Sequence, residues 1–156
     1  KNRKEKLIKK KYRMELIFMK KLVLLLGVVL SCIVFAGYEQ DVEKKMDPIE
    51  KNLREKADSE PLGMAVDTLD ELDQYWKAEM NKIYDLYSKK VSETERKKLA
   101  LEQKNIEKKV VNLDKERIKS KGFGNGAFIE LLNATTEIYK NRTFELARRY
   151  DNLNKK

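Results

Sequence analysis

Apolar residues in the middle of the chain recur at steps of three and four, which is the spacing of one face of an α-helix. The longest such stripe lies within residues 67–91 and consists of Leu69, Leu72, Trp76, Met80, Ile83 and Tyr87. It predicts an amphipathic helix of about seven turns. Because a stripe of this length is unfavourable in water, we expect the rest of the chain to cover it.

Charged residues support this helix, since acids near its start and lysines at its end suit the helix dipole. The acids are Asp67, Asp70, Glu71 and Asp73, and the lysines are Lys89 and Lys90. Of the adjacent aromatic residues Tyr75 and Trp76, only one can face the core. Trp76 fits the stripe, so Tyr75 is predicted to be exposed.

Two further long helices are predicted. Ser92–Glu95 is a capping box at the start of a helix over about 93–119. Its apolar heptad positions are Leu99, Ile106 and Leu113. The glycine-rich segment 122–126 ends it, and a third helix follows over about 127–150. The first turn is short enough to require antiparallel pairing. The predicted fold is all-α, an antiparallel three-helix bundle with a short extra N-terminal helix, preceded by a signal peptide.

The segment in front of the bundle, residues 37–65, is interpreted as a polar linker. Asp47 and Pro48 suit the N-cap and the first position of a helix, which predicts a short helix over 48–57. The large apolar residues available to it are Ile49 and Leu53.

Residues 19–36 are predicted to be a signal peptide, because Met19 is followed by two lysines, an apolar run and small residues. Residues 1–18 are then an upstream extension. A single-span anchor is the competing interpretation, but the apolar run Leu22–Ala36 is shorter than the roughly 20 residues that a span requires.

Two processing sites compete within this signal. Cleavage after Ala36 would make Gly37 the first residue and place the protein in the periplasm or outside the cell. A lipobox over Val29–Cys32 would instead make Cys32 the lipidated first residue of an anchored lipoprotein. We expect the first outcome, because the apolar run continues past Cys32.

Composition excludes several classes of function. Residues 1–31 hold ten basic and two acidic side chains, whereas residues 32–156 hold 25 and 24, so eight units of the net charge of +9 lie in residues 1–31. With no basic run interleaved with aromatic residues, no nucleic-acid partner is expected. The chain has no histidine and one cysteine, which removes the commonest general base and metal ligands. We expect no enzyme, no metal, no cofactor, and membrane contact only through the signal peptide or a lipid anchor.

Polar residues within or beside the predicted stripes have two interpretations. These residues are Asn81, Gln103 and Arg142. They either hydrogen-bond across the bundle and fix its register, or they support a neighbouring recognition surface. Phe123 lies among glycines, and it either folds onto the end of the bundle or contacts a partner.

Three segments follow one another along the chain: Glu79–Tyr84, Leu99–Lys104, and a glycine-rich loop followed by Ile138–Leu146. In this order and spacing they resemble the LprI-type lysozyme inhibitor family, small exported helical domains of bacterial envelopes. The likeness covers roughly residues 66–148, and the LprI-like domain is taken as 66–151. The resemblance implies structural roles for the matching residues, which are Asn81, Tyr84, Gln103, Arg142, Thr143 and Leu146.

Two features depart from the family pattern. Ile106 stands where a tryptophan is usual, and the cysteines that flank the loop in relatives are absent. The disulfide that the resemblance implies is therefore missing, and packing alone must hold the bundle.

The resemblance implies an exported protein that binds lysozyme or another envelope protein by protein–protein contact. In an up-down-up bundle the start of the first helix and the end of the second share a pole. The candidate contacts are Phe123, Asn125, Asp70, Glu71 and Tyr75. The alternative is a periplasmic or surface coiled-coil protein, an adhesin or chaperone-like hairpin, although a simple hairpin needs no third helix.

Overall fold

The computed structural model describes residues 37–120 and 125–155, and these ranges contain helices and short turns but no strand. The helices are α1 (Tyr38–Ser59), α2 (Leu62–Ser88), α3 (Glu93–Ser120) and α4 (Asn125–Asn154). The predicted all-α fold is therefore confirmed. None of these helices combines the length and the apolarity that crossing a membrane requires. The predicted signal peptide and Cys32 fall in residues 1–36, outside the described ranges.

Helices α2 and α4 form the centre of the helical bundle and share its most extensive contact. They run in the same direction. Asp73 meets Thr136 in the first half of both helices, and Lys90, just after α2, meets Asn154 at the end of α4.

The outer helices run opposite to this central pair. α1 lies against α2 and α4, whereas α3 packs mainly on α4. The start of α1 meets the end of α4 through the rings of Tyr38 and Tyr150, whose centroids are 5.8 Å apart. The end of α3 meets the start of α4, where the Arg117 guanidinium lies 5.1 Å from the centre of the Phe128 ring. In place of the expected three long helices and one short helix, the described ranges contain four long helices.

The apolar stripe predicted on α2 is buried. Leu72, Trp76 and Ile83 have no exposed surface, and the Trp76 ring lies beside Phe144 of α4, with 5.7 Å between the centroids. The indole Nε1–H donates to Glu50 Oε2 of α1 at 3.2 Å. A buried indole whose N–H is satisfied in this way contributes its full apolar area to the core.

The interpretation of residues 37–65 as a polar linker with a short helix at 48–57 is wrong. α1 begins at Tyr38 and contains Pro48 in its interior. Proline at that position removes one backbone N–H and one intrahelical hydrogen bond. Packing on α2 and α4 offsets this loss, through the buried residues Val42, Met46, Leu53 and Ala57.

The start of α1 is capped by a residue of α4. The N–H groups of Tyr38 and Glu39 donate to the Asp151 carboxylate at 2.7 and 3.1 Å. The first N–H groups of a helix have no intrahelical partner, and a negative charge beside them also suits the helix dipole. A Cβ at Gly37 would lie 2.3 Å from Asp151 Oδ2, so the glycine leaves the space that this contact needs.

Helix α2 begins at Leu62, earlier than the acidic segment that was expected to start it. The acids Asp67, Asp70, Glu71 and Asp73 therefore lie beyond the first turn, where the helix dipole has little effect. Asp73 is buried. The dipole explanation of these acids is wrong.

Trp76→Ala should lower the free energy of unfolding by about 3–5 kcal/mol, because it removes the largest buried side chain of the α2–α4 contact. Tyr75→Ala is the matched control, since Tyr75 is 42% exposed and its truncation should cost less than about 1 kcal/mol. Urea unfolding of both variants measures the difference. Equal losses would mean that the two aromatic residues contribute alike to the core.

Candidate functional site

A groove of about 580 Å³ opens between α2 and α3. It exists because α3 packs much more closely on α4 than on α2. Its lining residues are Asn81, Tyr84 and Asp85 from α2, and Ala100, Gln103, Lys104 and Glu107 from α3. Three residues that the family resemblance singled out, on two different helices, therefore line one surface feature.

Gln103 is the most buried of the polar residues that line this groove. It is 8% exposed, and its Nε2 amide contacts Met80 Sδ at 3.9 Å. Its Oε1 has no hydrogen-bond donor among the described residues. A buried acceptor without a partner lowers stability by roughly 1–3 kcal/mol. A donor supplied by a bound molecule would remove this penalty.

An ion-pair network next to Gln103 ties α3 to α4. The buried Arg142 donates from Nη2 to Glu102 Oε2 at 3.1 Å and from Nη1 to Glu145 Oε2 at 2.8 Å. Arg149 donates to the same two carboxylates at 2.7 and 2.5 Å. Burial alone would raise the pKa of Glu102, but the hydrogen bonds from Arg149 and Arg142 hold that pKa below its ordinary value. Since Glu102 precedes Gln103 on α3, the network fixes the segment that carries Gln103.

The polar residues within or beside the predicted stripes differ in their hydrogen bonds. Arg142 makes hydrogen bonds across the bundle, whereas Gln103 makes only its contact with Met80. Asn81 is exposed and has no side-chain partner in the described ranges. Thr143 and Leu146 are buried on α4, and Thr143 Oγ1 donates to the carbonyl oxygen of Tyr139 at 2.8 Å.

The rim of the groove carries unpaired charges. Asp85, Lys104 and Glu107 are exposed and form no ion pair with any described residue, and the half-buried Tyr84 provides an aromatic side chain. The sequence analysis did not single out these three charges, because isolated charges on a helix surface are ordinary. The spacing of two of them indicated a shared helix face with the motif residues. Asp85 lies one helical turn after Asn81, and Glu107 lies one helical turn after Gln103.

The structure separates the other predicted contact residues. Asp70 faces α3, where its Oδ1 lies 3.6 Å from Arg117 Nη1. Glu71 and Tyr75 are exposed one turn apart on another face of α2. Phe123 lies outside the described ranges, and Asn125 is the first residue of α4. Of the candidate contacts on α2, Asp70 is therefore close to a residue of α3, whereas Glu71 and Tyr75 are exposed.

A second hollow, of about 480 Å³, lies where α1 ends and α2 begins. Its lining residues are Arg54, Ala57, Asp58, Glu60, Leu62, Ala65, Leu69, Ile129 and Asn133. Arg54 is already engaged, donating to Glu50 Oε1 at 2.9 Å and to Asn133 Oδ1 at 3.2 Å. No lining residue has a buried polar atom that lacks a partner among the described residues, and the α2–α3 groove is the stronger candidate for this reason.

Asp73 is a buried titratable group that the sequence analysis misplaced. It is 5% exposed, and Thr136 Oγ1 donates to its Oδ1 at 3.1 Å. Burial raises the pKa of Asp73 to about 6, and the nearby Asp70 and Asp114 act in the same direction while Arg117 opposes them. Burial, followed by the charge of Asp73, also raises the pKa of Tyr139 to about 12.

Within residues 37–120 and 125–155, no group of three or more acidic, cysteine or histidine side chains could hold a metal ion. Comparison with known family models, curated proteins and solved structures gives no match to the chain. The resemblance to the LprI-type family therefore stays a prediction from the motifs.

Asp73→Asn should raise the free energy of unfolding at pH 7.5 by about 3 kcal/mol, and at pH 4 by less than about 1 kcal/mol. The folded protein holds the Asp73 proton more tightly than the unfolded chain does, because its pKa is raised from 3.8 to about 6. The free energy of unfolding of the original protein therefore falls as the pH rises from 3.8 to about 6. Asp73→Asn has a neutral amide at this position and does not show this decrease.

Denaturant unfolding at both pH values measures this difference. Asp67→Asn, at an exposed position of the same helix, is the control and should change stability equally little at both. If the free energy of unfolding of Asp73→Asn depends on pH as that of the original protein does, this explanation is refuted.

Proposed function

We propose that this chain is an exported protein of the bacterial envelope that acts by protein–protein contact, as LprI-type lysozyme inhibitors do. The observation that supports the proposal is the convergence of Asn81, Tyr84 and Gln103 on one groove. Asn81 and Tyr84 belong to one segment of the resemblance and Gln103 to another, so two separate segments contribute residues to this groove.

The form of the groove also favours a protein partner. It is open and lined mainly by polar side chains, whereas sites for small substrates are usually enclosed and largely apolar. Gln103, which carries the unpaired acceptor Oε1, is one of its lining residues. The proposed activity is therefore inhibition by binding, and no catalytic step is assigned to the chain.

Lysozyme is the first partner to test. The purified protein should bind lysozyme and slow its lysis of cell walls. A double variant, Asn81→Ala with Tyr84→Ala, should weaken binding by about tenfold, since contact residues near the centre of an interface contribute most of its energy. Gln40→Ala, at an exposed position of α1, is the control and should bind as the original does.

Phe123→Ala tests the second proposed contact. If the loop is the anchor, this variant dissociates faster while the groove variant binds normally. The absence of any binding by the unaltered protein would exclude lysozyme inhibition and leave the groove to another envelope protein.

Export followed by cleavage after Ala36 is part of the proposal. Gly37 is the N-cap of α1, so cleavage there would release the described helices intact. The intact mass of the protein from its native host should correspond to a chain that begins at Gly37. A mass that includes acyl chains on Cys32 would instead establish the lipoprotein form.

A coiled-coil adhesin or chaperone-like protein is the second candidate. It is favoured by the outer surface of α3, where Leu101, Val111 and Ile118 are exposed and suited to a further helix. Light scattering separates the two functions, since the inhibitor-like domain should be a compact monomer and the coiled coil an elongated oligomer.

A further inference from the structure

We propose that the groove between α2 and α3 binds an arginine side chain of a partner protein, with Gln103 Oε1 as the acceptor at its floor. This inference rests on the proposed function and deepens it by naming the chemical group that the groove recognises.

The acceptor Gln103 Oε1 is unpaired. Gln103 is 8% exposed and its Oε1 has no donor among the described residues, so the bound group must donate hydrogen bonds. The other polar atom of this amide contacts Met80, and the Gln103 side chain is part of the groove lining. A partner that offers only acceptors would leave Oε1 unpaired and gain nothing there.

The charges of the lining residues favour a cationic group. Asp85 and Glu107 lie on opposite walls of the groove, one on each helix, and neither forms an ion pair with a described residue. Lys104 is the one positively charged residue among those that line the groove. The lining residues are therefore net negative, and a positively charged donor is preferred to a neutral one.

The geometry of the two cationic side chains favours arginine over lysine. A guanidinium group has five N–H donors in one plane, so it can donate to Gln103 and to a carboxylate on the wall at the same time. The half-buried Tyr84 offers an aromatic face on which such a plane can stack. An ammonium group is more strongly hydrated and has no flat face, and it would lose more on entering the groove.

The experiment uses the purified full-length protein and two small probes, the blocked amides N-acetyl-arginine methylamide and N-acetyl-lysine methylamide. NMR titrations at low salt should show that the arginine probe shifts the Gln103 side-chain amide and the Tyr84 ring signals. The lysine probe should bind about tenfold more weakly at these signals. Equal binding of both probes, or no shift at Gln103, would overturn the proposal.

Gln103→Met is the decisive variant. Methionine has a similar size but no strong acceptor, so the variant should unfold at a higher denaturant concentration while binding the arginine probe about tenfold less tightly. Gln40→Met, at an exposed position of α1, is the matched control and should bind as the original. Unchanged arginine binding by Gln103→Met would refute the role of this acceptor.

The outcome can be separated from that of the lysozyme test. If lysozyme binds Gln103→Met as well as it binds the original, the arginine proposal fails while inhibition stands. If the arginine probe binds the groove and lysozyme does not bind at all, the proposed function fails while the recognition of arginine stands. Glu107→Gln should weaken arginine binding by about threefold and reduce its dependence on salt.

Discussion

The contact between α2 and α4 buries Trp76 and Ile83 on one helix and Leu146 and Ala147 on the other, all without exposed surface. Parallel helices cannot be joined by a short turn, so α3 must return the chain from the end of α2 to the start of α4. The ion pairs of Glu102 hold this return helix on α4. The groove between α2 and α3 is therefore a consequence of the contact between α2 and α4.

Buried and partly buried carboxylates give the bundle two opposed responses to pH. Glu50, Glu79 and Glu102 each accept side-chain hydrogen bonds from a neighbouring helix. Although burial raises each pKa, these hydrogen bonds hold all three below the ordinary value of 4.5. Their contribution to stability is present above about pH 4.5 and is lost as the pH falls through the lowered values. Asp73 has the opposite effect, since its contribution to stability is lost as the pH rises. The free energy of unfolding is therefore expected to be highest in mildly acidic solution.

The parts of the fold that depend on local pattern could be predicted from the sequence. The stripe around Trp76 predicted the existence of α2 but not its start at Leu62, whereas the capping box at Ser92 placed the start of α3 correctly, because that signal lies at the helix end that it defines. α1 was cut short because Pro48 resembles a helix start, and the carboxylate that caps α1, Asp151, is more than a hundred residues away. The groove is even harder to predict from the sequence. Its motif residues could be named, but no local pattern shows that Gln103 would be buried with one oxygen unpaired.

Because Asp151 holds the backbone of Tyr38 and Glu39, the first and last helix ends of the described chain are neighbours. A short linker could join them, and new ends could be opened in the turn between α2 and α3. Such a circular permutant would keep every helix contact, since exposed turns tolerate new termini. It would also place both new ends beside the mouth of the groove rather than at the start of α1.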